Sequence, residues 1–427
     1  MITKDKLIFY FDRIIFTCMC FLIFCLPFAK AGIETFTWLA TFLWLSKRAL
    51  GYRSGSLWGM LPKTELNKAL GIFIAVNVLS TIFSSHFGLS LRGFFGKELK
   101  FLAIYFMLIE VVNSGKRLKY ILITVIVTAV FIMFDAGSQL FRGVDFIRGY
   151  KLEQLTFGAS FFAASSFAAW LIIIITLFIG IITSNIIPNT KLKNLLAAAV
   201  VIQTLFLLRT YTRGAWIGFI ISIIMMFYFF VRNASSKIRL IYLFVAVCLL
   251  CLALFLPRSI IFNIKDAIRV KFKFSQTISG RIETIPQVVR GSNLERIQLW
   301  KEALRITKDY PLTGCGLNTY SIVARDYKSF EGGGVYPHNS YLQMSAETGL
   351  LGLAAFLWFL FMFFKTGLHY FNRSKDTLVL GLLAGILAYS IHAFFDTHLY
   401  SLQLVVLFWY MVGLTVAAIK LNQSENL

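Results

Sequence analysis

Apolar runs long enough to cross a bilayer recur along this chain from one end to the other. A spanning helix needs about 20 such residues, because a rise of about 1.5 Å per residue must cover roughly 30 Å of hydrocarbon. In lipid every backbone N–H and C=O must be paired within the protein, which leaves helices or closed barrels as spanning elements. Runs of this length exceed what a barrel strand needs. With 58% hydrophobic residues and only 15% charged ones, the chain reads as an all-α integral membrane protein. Twelve spans are expected, at roughly 13–29, 32–46, 68–85, 99–113, 120–139, 158–182, 194–209, 214–231, 240–256, 346–364, 377–394 and 402–419. The second is short and reads as tilted or re-entrant. The first has no small-residue cleavage site after it and reads as a retained helix, not a signal peptide.

Three regions follow from this spacing. Residues 1–256 hold spans one to nine, 257–345 form a long loop domain with amphipathic helices, and 346–427 hold spans ten to twelve and a short tail. Lys and Arg set the orientation. With both termini in the cytoplasm, the inner segments carry 20 of the 42 basic residues and the short outer segments 9. The remaining 13 lie in the long loop, which such a rule does not govern. That loop holds 13 Lys/Arg against 7 Asp/Glu, so the outer face is basic. Ionisable residues otherwise gather at span ends, Glu110 excepted.

The six cysteines suggest no disulfide framework. Cys18, Cys20, Cys25, Cys248 and Cys251 sit inside apolar runs, and Cys315 is alone in the loop. Buried Cys behaves as a small hydrophobe. No Cys/His cluster has metal-ligand spacing, and no Gly-rich phosphate loop is present.

Within the loop, 293–308 shows helical periodicity, with Leu294, Ile297, Trp300, Leu304 and Ile306 largely on one side. The segment 311–316 (PLTGCG) reads as the turn that ends this helix, and Gly332-Gly333-Gly334 as a hinge. Immediately after comes Pro337-His338-Asn339-Ser340-Tyr341. Most loop histidines are incidental. This one lies where a basic loop re-enters the membrane, with Pro337 biasing Tyr336 to an extended form and Asn339 or Ser340 suited to cap the next helix. A histidine can accept a proton near neutral pH.

Arg209-Thr210-Tyr211-Thr212-Arg213 reads as a tight outward hairpin. Such arginines often only snorkel, but Arg213 is followed by Gly214-Ala215, small residues that permit close helix packing. Arg290 and Arg296 stand in the loop, where arginines are usually solvated surface. An arginine can also grip phosphate oxygens bidentately. The turn 391–400 (IHAFFDTHLY) carries His392, Asp396 and His398. Asp396 is expected to hold an arginine or a substrate hydroxyl rather than a metal. Arg92, Lys97 and Lys100 form an interfacial amphipathic stretch, either snorkelling or touching lipid phosphate.

His338-Asn339 followed by Gly349-Leu350-Leu351-Gly352 resembles the signature of the O-antigen ligase family, within the wider ligase and polymerase superfamily. Arg213 with Gly214-Ala215, the stretch from Arg296 through Trp300 to Pro311-Leu312-Thr313-Gly314-Cys315-Gly316, and Arg290-Gly291-Ser292-Asn293-Leu294 are similar to further patterns of that group. The resemblance implies a GT-C-type glycosyltransferase fold with one large periplasmic loop, in the bacterial inner membrane. It implies a donor of O-polysaccharide on undecaprenyl pyrophosphate and lipid A–core as acceptor. No cofactor, metal or nucleic acid is implied. In that scheme His338, Arg213 and Arg296 are the catalytic candidates. Arg290, Arg209, Asn339, Asp396, Arg92, Lys97 and Tyr336 are candidates for binding pyrophosphate or glycan. The rival readings are an O-antigen polymerase, a ligase acting on protein, and a transporter of the same lipid-linked glycan. A transporter predicts internal repeats and midplane charges.

Overall fold

The computed structural model describes residues 3–51, 61–152, 157–233, 285–329 and 334–425. These form an all-helical protein in which seven helices are long and apolar enough to cross a membrane. The helices are α1 (Lys4–Cys25), α2 (Lys30–Gly51), α3 (Asn67–Ile82), α4 (Phe87–Gly93), α5 (Lys100–Val111), α6 (Gly115–Arg142), α7 (Ala164–Thr183), α8 (Thr190–Arg209), α9 (Arg213–Asn233), α10 (Ile285–Asp309), α11 (Tyr320–Val323), α12 (Ser340–Ser374), α13 (Thr377–His392) and α14 (Leu402–Glu425). A π-helical turn, Phe94–Leu99, joins α4 to α5. The ninth expected span, 240–256, and the Gly332-Gly333 hinge lie outside the described residues.

The second span is not short: α2 runs through 22 residues, though it is not among the seven helices apolar enough to cross a membrane. The tenth begins earlier than hydropathy alone suggested. α12 starts at Ser340, because Asn339 caps it by accepting hydrogen bonds from the backbone N–H groups of Tyr341 and Leu342. Its first turns carry polar residues that stay buried against the loop domain, so composition conceals them.

Apolar residues on all sides of α7 and α14 mark them as interior helices, and both are mostly buried. α13 packs on α7 and α9, α14 on α5, α12 on α3, and α1 on α2. The α7–α13 crossing is close because glycines meet there. A Cβ on Gly180 would sit 3.0 Å from the Gly381 Cα and 2.7 Å from the Thr377 carbonyl oxygen. Small residues at such crossings replace the missing hydrophobic drive in lipid by tight dispersion contact.

One cluster of charges in the bundle is paired. Glu110 takes Lys47 at 2.7 Å and also Arg48, while Asp12 takes Lys47 at 2.7 Å and Arg117 at 2.6 Å. This network knits α1, α2, α5 and α6 together at one end. Glu110 is not the sole exception to the end-of-span pattern. Asp135 in α6 is fully buried and accepts from the hydroxyl of Ser160, at 2.7 Å, and the backbone N–H groups of Phe146 and Ile147. It anchors the connection from α6 to α7.

The amphipathic face of α10 differs from the expected one. Leu294, Ile297 and Leu304 are exposed, and the buried residues are Leu299, Glu302, Ala303, Ile306 and Thr307. The helix is seated by small and polar residues. Glu302 accepts from the backbone and hydroxyl of Ser329, and the Thr307 hydroxyl meets that of Ser345 at 3.0 Å. A stripe read from apolar residues alone therefore falls on the wrong side.

The turn after α10 docks onto α12. Gly349 breaks that helix at φ 70°, ψ −177°, a conformation that only glycine takes readily. The break frees backbone groups, and the turn satisfies them. Leu350 N–H donates to the Pro311 carbonyl at 2.8 Å, Cys315 N–H to Ala346, and Gly316 N–H to Glu347. A Cβ on Gly349 would lie 2.1 Å from the Leu312 carbonyl oxygen.

Candidate active site

His338 is held between the loop domain and the bundle. Upstream, the Trp300 indole N–H on α10 donates to the Pro337 carbonyl at 2.7 Å. Downstream, Ser340 N–H donates to the Ala393 carbonyl at 2.8 Å, and the Ser340 hydroxyl donates to the Asp396 carbonyl at 2.9 Å. Pinned from both sides, His338 takes φ 46°, a left-handed conformation uncommon for a residue with a Cβ. The constraint turns its ring toward the α13–α14 loop. There Nδ1 lies 3.2 Å from Asp396 Oδ1.

Of the two partners expected for Asp396, an arginine and a substrate hydroxyl, no arginine pairs with it among the described residues; its carboxylate faces His338. The carboxylate also accepts from its neighbour's N–H, Thr397, at 2.8 Å. Burial pushes the Asp396 carboxyl up. The hydrogen bond with His338, the nearby His398 and a bond from Ser165 on α7 outweigh this and hold it well below the usual carboxylate range. An ionised Asp396 favours the tautomer with the proton on Nδ1, leaving Nε2 as the free acceptor. The His338 side chain is 41% exposed and Asp396 16%, so the ring is reachable while its partner is shielded.

Behind the pair, His398 lies 3.0 Å from His392 Nδ1, and both rings are buried. Burial holds His398 down to about 4, the carboxylate of Asp396 only partly offsetting it. The two histidines thus pack as a neutral wedge under the loop.

Arg296 reaches the same loop, donating to the Phe395 carbonyl at 3.4 Å. The other side of Phe395 is occupied by α9: a Cβ on Gly214 would sit 2.6 Å from the Phe395 Cβ. Arg213, the adjoining residue, is exposed and makes no hydrogen bond or ion pair among the described residues. Residues 392–398 are therefore the hub that gathers His338, Arg296 and the N-terminus of α9. Arg209 is stacked over Tyr211, 5.3 Å from the ring centroid, in the turn before Arg213. Arg290 lies on α10.

The remaining expected residues divide. Tyr336 stacks on Tyr320 with centroids 6.3 Å apart, and Lys97 donates to the Asn318 side chain. Both line a cavity of 590 Å³, as does Thr397, the neighbour of Asp396 in the chain. Arg92 is exposed on α4, beside His86, and makes no hydrogen bond or ion pair with any of these groups. Lys100 is buried and bound to Glu34 at 2.7 Å, a structural pair and not a lipid contact.

Residues 198–357 match the family described as O-Antigen ligase. Over these 160 residues the chain is similar to that family. The match takes in Arg213, Arg296 and His338. Asp396 lies beyond it, so the domain's histidine is oriented by a residue from the helices that follow. No curated protein matches the chain. The apolar helices described above and this similarity support a multi-pass bacterial membrane protein.

Proposed function

We propose that the protein is an O-antigen ligase of the inner membrane. It transfers O-polysaccharide from undecaprenyl pyrophosphate to a sugar hydroxyl of lipid A–core, with inversion and without a metal. Both termini are cytoplasmic, the helices follow a GT-C-type layout, and the site faces the periplasm. The observation that carries this reading is the His338–Asp396 contact beside Arg296 and the Arg213 helix terminus.

In this mechanism Asp396 holds His338 with Nε2 free. Nε2 takes the proton of the acceptor hydroxyl as its oxygen attacks the anomeric carbon. The new C–O bond forms as the bond from that carbon to the pyrophosphate oxygen breaks, and undecaprenyl pyrophosphate leaves with the electron pair. Arg213, Arg296 and Arg290 stabilise the charge that develops on it. A pyrophosphate is a good leaving group, so no strong general acid is required.

Purified protein incubated with undecaprenyl-pyrophosphate glycan and lipid A–core in EDTA tests the reading, with His338→Ala alongside. Wild type should join glycan to lipid A–core, and the variant should lose about 100- to 10,000-fold in rate. Lengthening of the donor glycan with lipid A–core untouched would make the protein a polymerase and overturn the proposal.

A further inference from the structure

The 590 Å³ cavity lined by Tyr336 and Thr397 has features that the arginine cluster does not explain. Asn77 of α3 lines it, is fully buried, and has no protein partner at either amide atom. The Oε1 of Gln343, 2% exposed on α12, is likewise unpartnered. An unmet buried polar group costs about 1–3 kcal/mol, so such groups point to a ligand that supplies the missing bonds. Glu98, in the π-turn, lines the same space and has no hydrogen bond or ion pair among the described residues. Glu347 completes the polar floor, fixed there by the N–H groups of Asn318 and Tyr320.

These groups select the ligand's chemistry. An amide and carboxylates ask for a partner that both donates and accepts, which a hydroxyl does and a phosphate does not. The lining carries Glu34, Glu98 and Glu347 against Lys97 and Lys100. Both lysines are already engaged, with Asn318 and Glu34, so an anionic group would face uncompensated carboxylates. Burial, with Glu347 facing it, pushes the Glu98 carboxyl up to about 7, so it can donate as well as accept near neutral pH. Trp38 and Tyr336, about half-exposed, offer flat apolar faces on the lining. The volume falls within the range of small-molecule sites, which combine apolar walls with a few convergent polar groups. Its lining includes Tyr336, two residues before His338, and Thr397, next to Asp396, which ties the cavity wall to the backbone that carries the pair.

We infer that this cavity is the acceptor subsite, holding an uncharged or amino sugar by its hydroxyls so that one of them meets His338 Nε2. The inference rests on the ligase reading for the sugar's source. The donor pyrophosphate is left to Arg296 and Arg213, which meet around Phe395 and do not line the cavity.

The test is equilibrium binding to full-length protein of two probes: delipidated core oligosaccharide and undecaprenyl pyrophosphate. Wild type is compared with Asn77→Leu and Glu98→Gln, and transfer kinetics are run in parallel. Asn77 has no protein partner, so Asn77→Leu should melt at or above the wild-type temperature. Oligosaccharide binding should weaken about tenfold or more in both variants, the equivalent of one lost hydrogen bond. The acceptor KM should rise alongside, with undecaprenyl pyrophosphate binding unchanged. Oligosaccharide binding indifferent to both substitutions would overturn the subsite, as would weakened lipid binding in its place. A wild type that binds the oligosaccharide but transfers nothing would sink the ligase reading and leave the subsite standing. A wild type that transfers with an acceptor KM blind to both variants would do the reverse.

Discussion

At the scale of single residues, the informative feature is a strained histidine whose ring is tied to a shielded carboxylate. A left-handed φ at His338 persists only because Trp300, Ser340 and Asp396 over-determine the backbone around it. Asp396→Asn keeps the size of the side chain but removes the charge that selects the Nδ1–H tautomer. We expect kcat to fall between about 100- and 10,000-fold, as for the carboxylate of a hydrolase triad, with acceptor KM little changed. A kcat within twofold of wild type would remove Asp396 from the mechanism. His338 was legible from sequence because it sits in a motif at a membrane re-entry. The pairing was not, since 58 positions separate the partners. Glu98 and Asn77 carried no signal beyond being polar residues at or in an apolar run. They emerge only from their places on the cavity wall without a protein partner.

At the scale of elements, the kink in α12 is the joint between loop domain and bundle. Gly349→Ala must meet both a positive φ and a Cβ 2.1 Å from the Leu312 carbonyl oxygen. The substitution should destabilise by roughly 3 kcal/mol or more, read as a lowered melting temperature in detergent. Activity should fall more than stability predicts, because Pro311–Gly316 no longer seats α10 and Trp300 shifts the His338 loop. A variant that melts and transfers like wild type would mean that α12 can straighten at no cost. Element existence was well marked by hydropathy, and α1, α6, α7, α8, α9 and α14 fall close to the expected spans. α10 was legible as a helix but not in orientation. Its docking face uses Glu302, Ala303 and Thr307, whose hydrogen bonds do the work that an apolar stripe was expected to do.

At the scale of the whole molecule, the buried histidine pair couples stability to pH. His398 is held down to about 4 by burial. As pH falls from about 6.5, the unfolded chain takes up a proton that the folded protein refuses, so stability declines until about pH 4. The loss is on the order of 3 kcal/mol, and above about pH 6.5 stability from this source is fully present. Thermal melting between pH 7.5 and 4.5 should therefore show a fall that His398→Asn flattens. An unchanged slope in that variant would place the pH dependence elsewhere.

Sequence alone determined that this chain carries many helices apolar enough to cross a membrane and which motif residues are the site candidates. Those features are local: hydropathy over about 20 residues, charge near span ends, and short spacings. Only the tertiary structure decided that Asp396 meets His338, that Phe395 is clasped between Arg296 and Gly214, and that Asn77 is left unsatisfied beside a cavity. These depend on which helices become neighbours. That is set by glycine crossings, by buried polar pairs and by a kink that needs its partner turn, and such contacts join residues far apart in the chain.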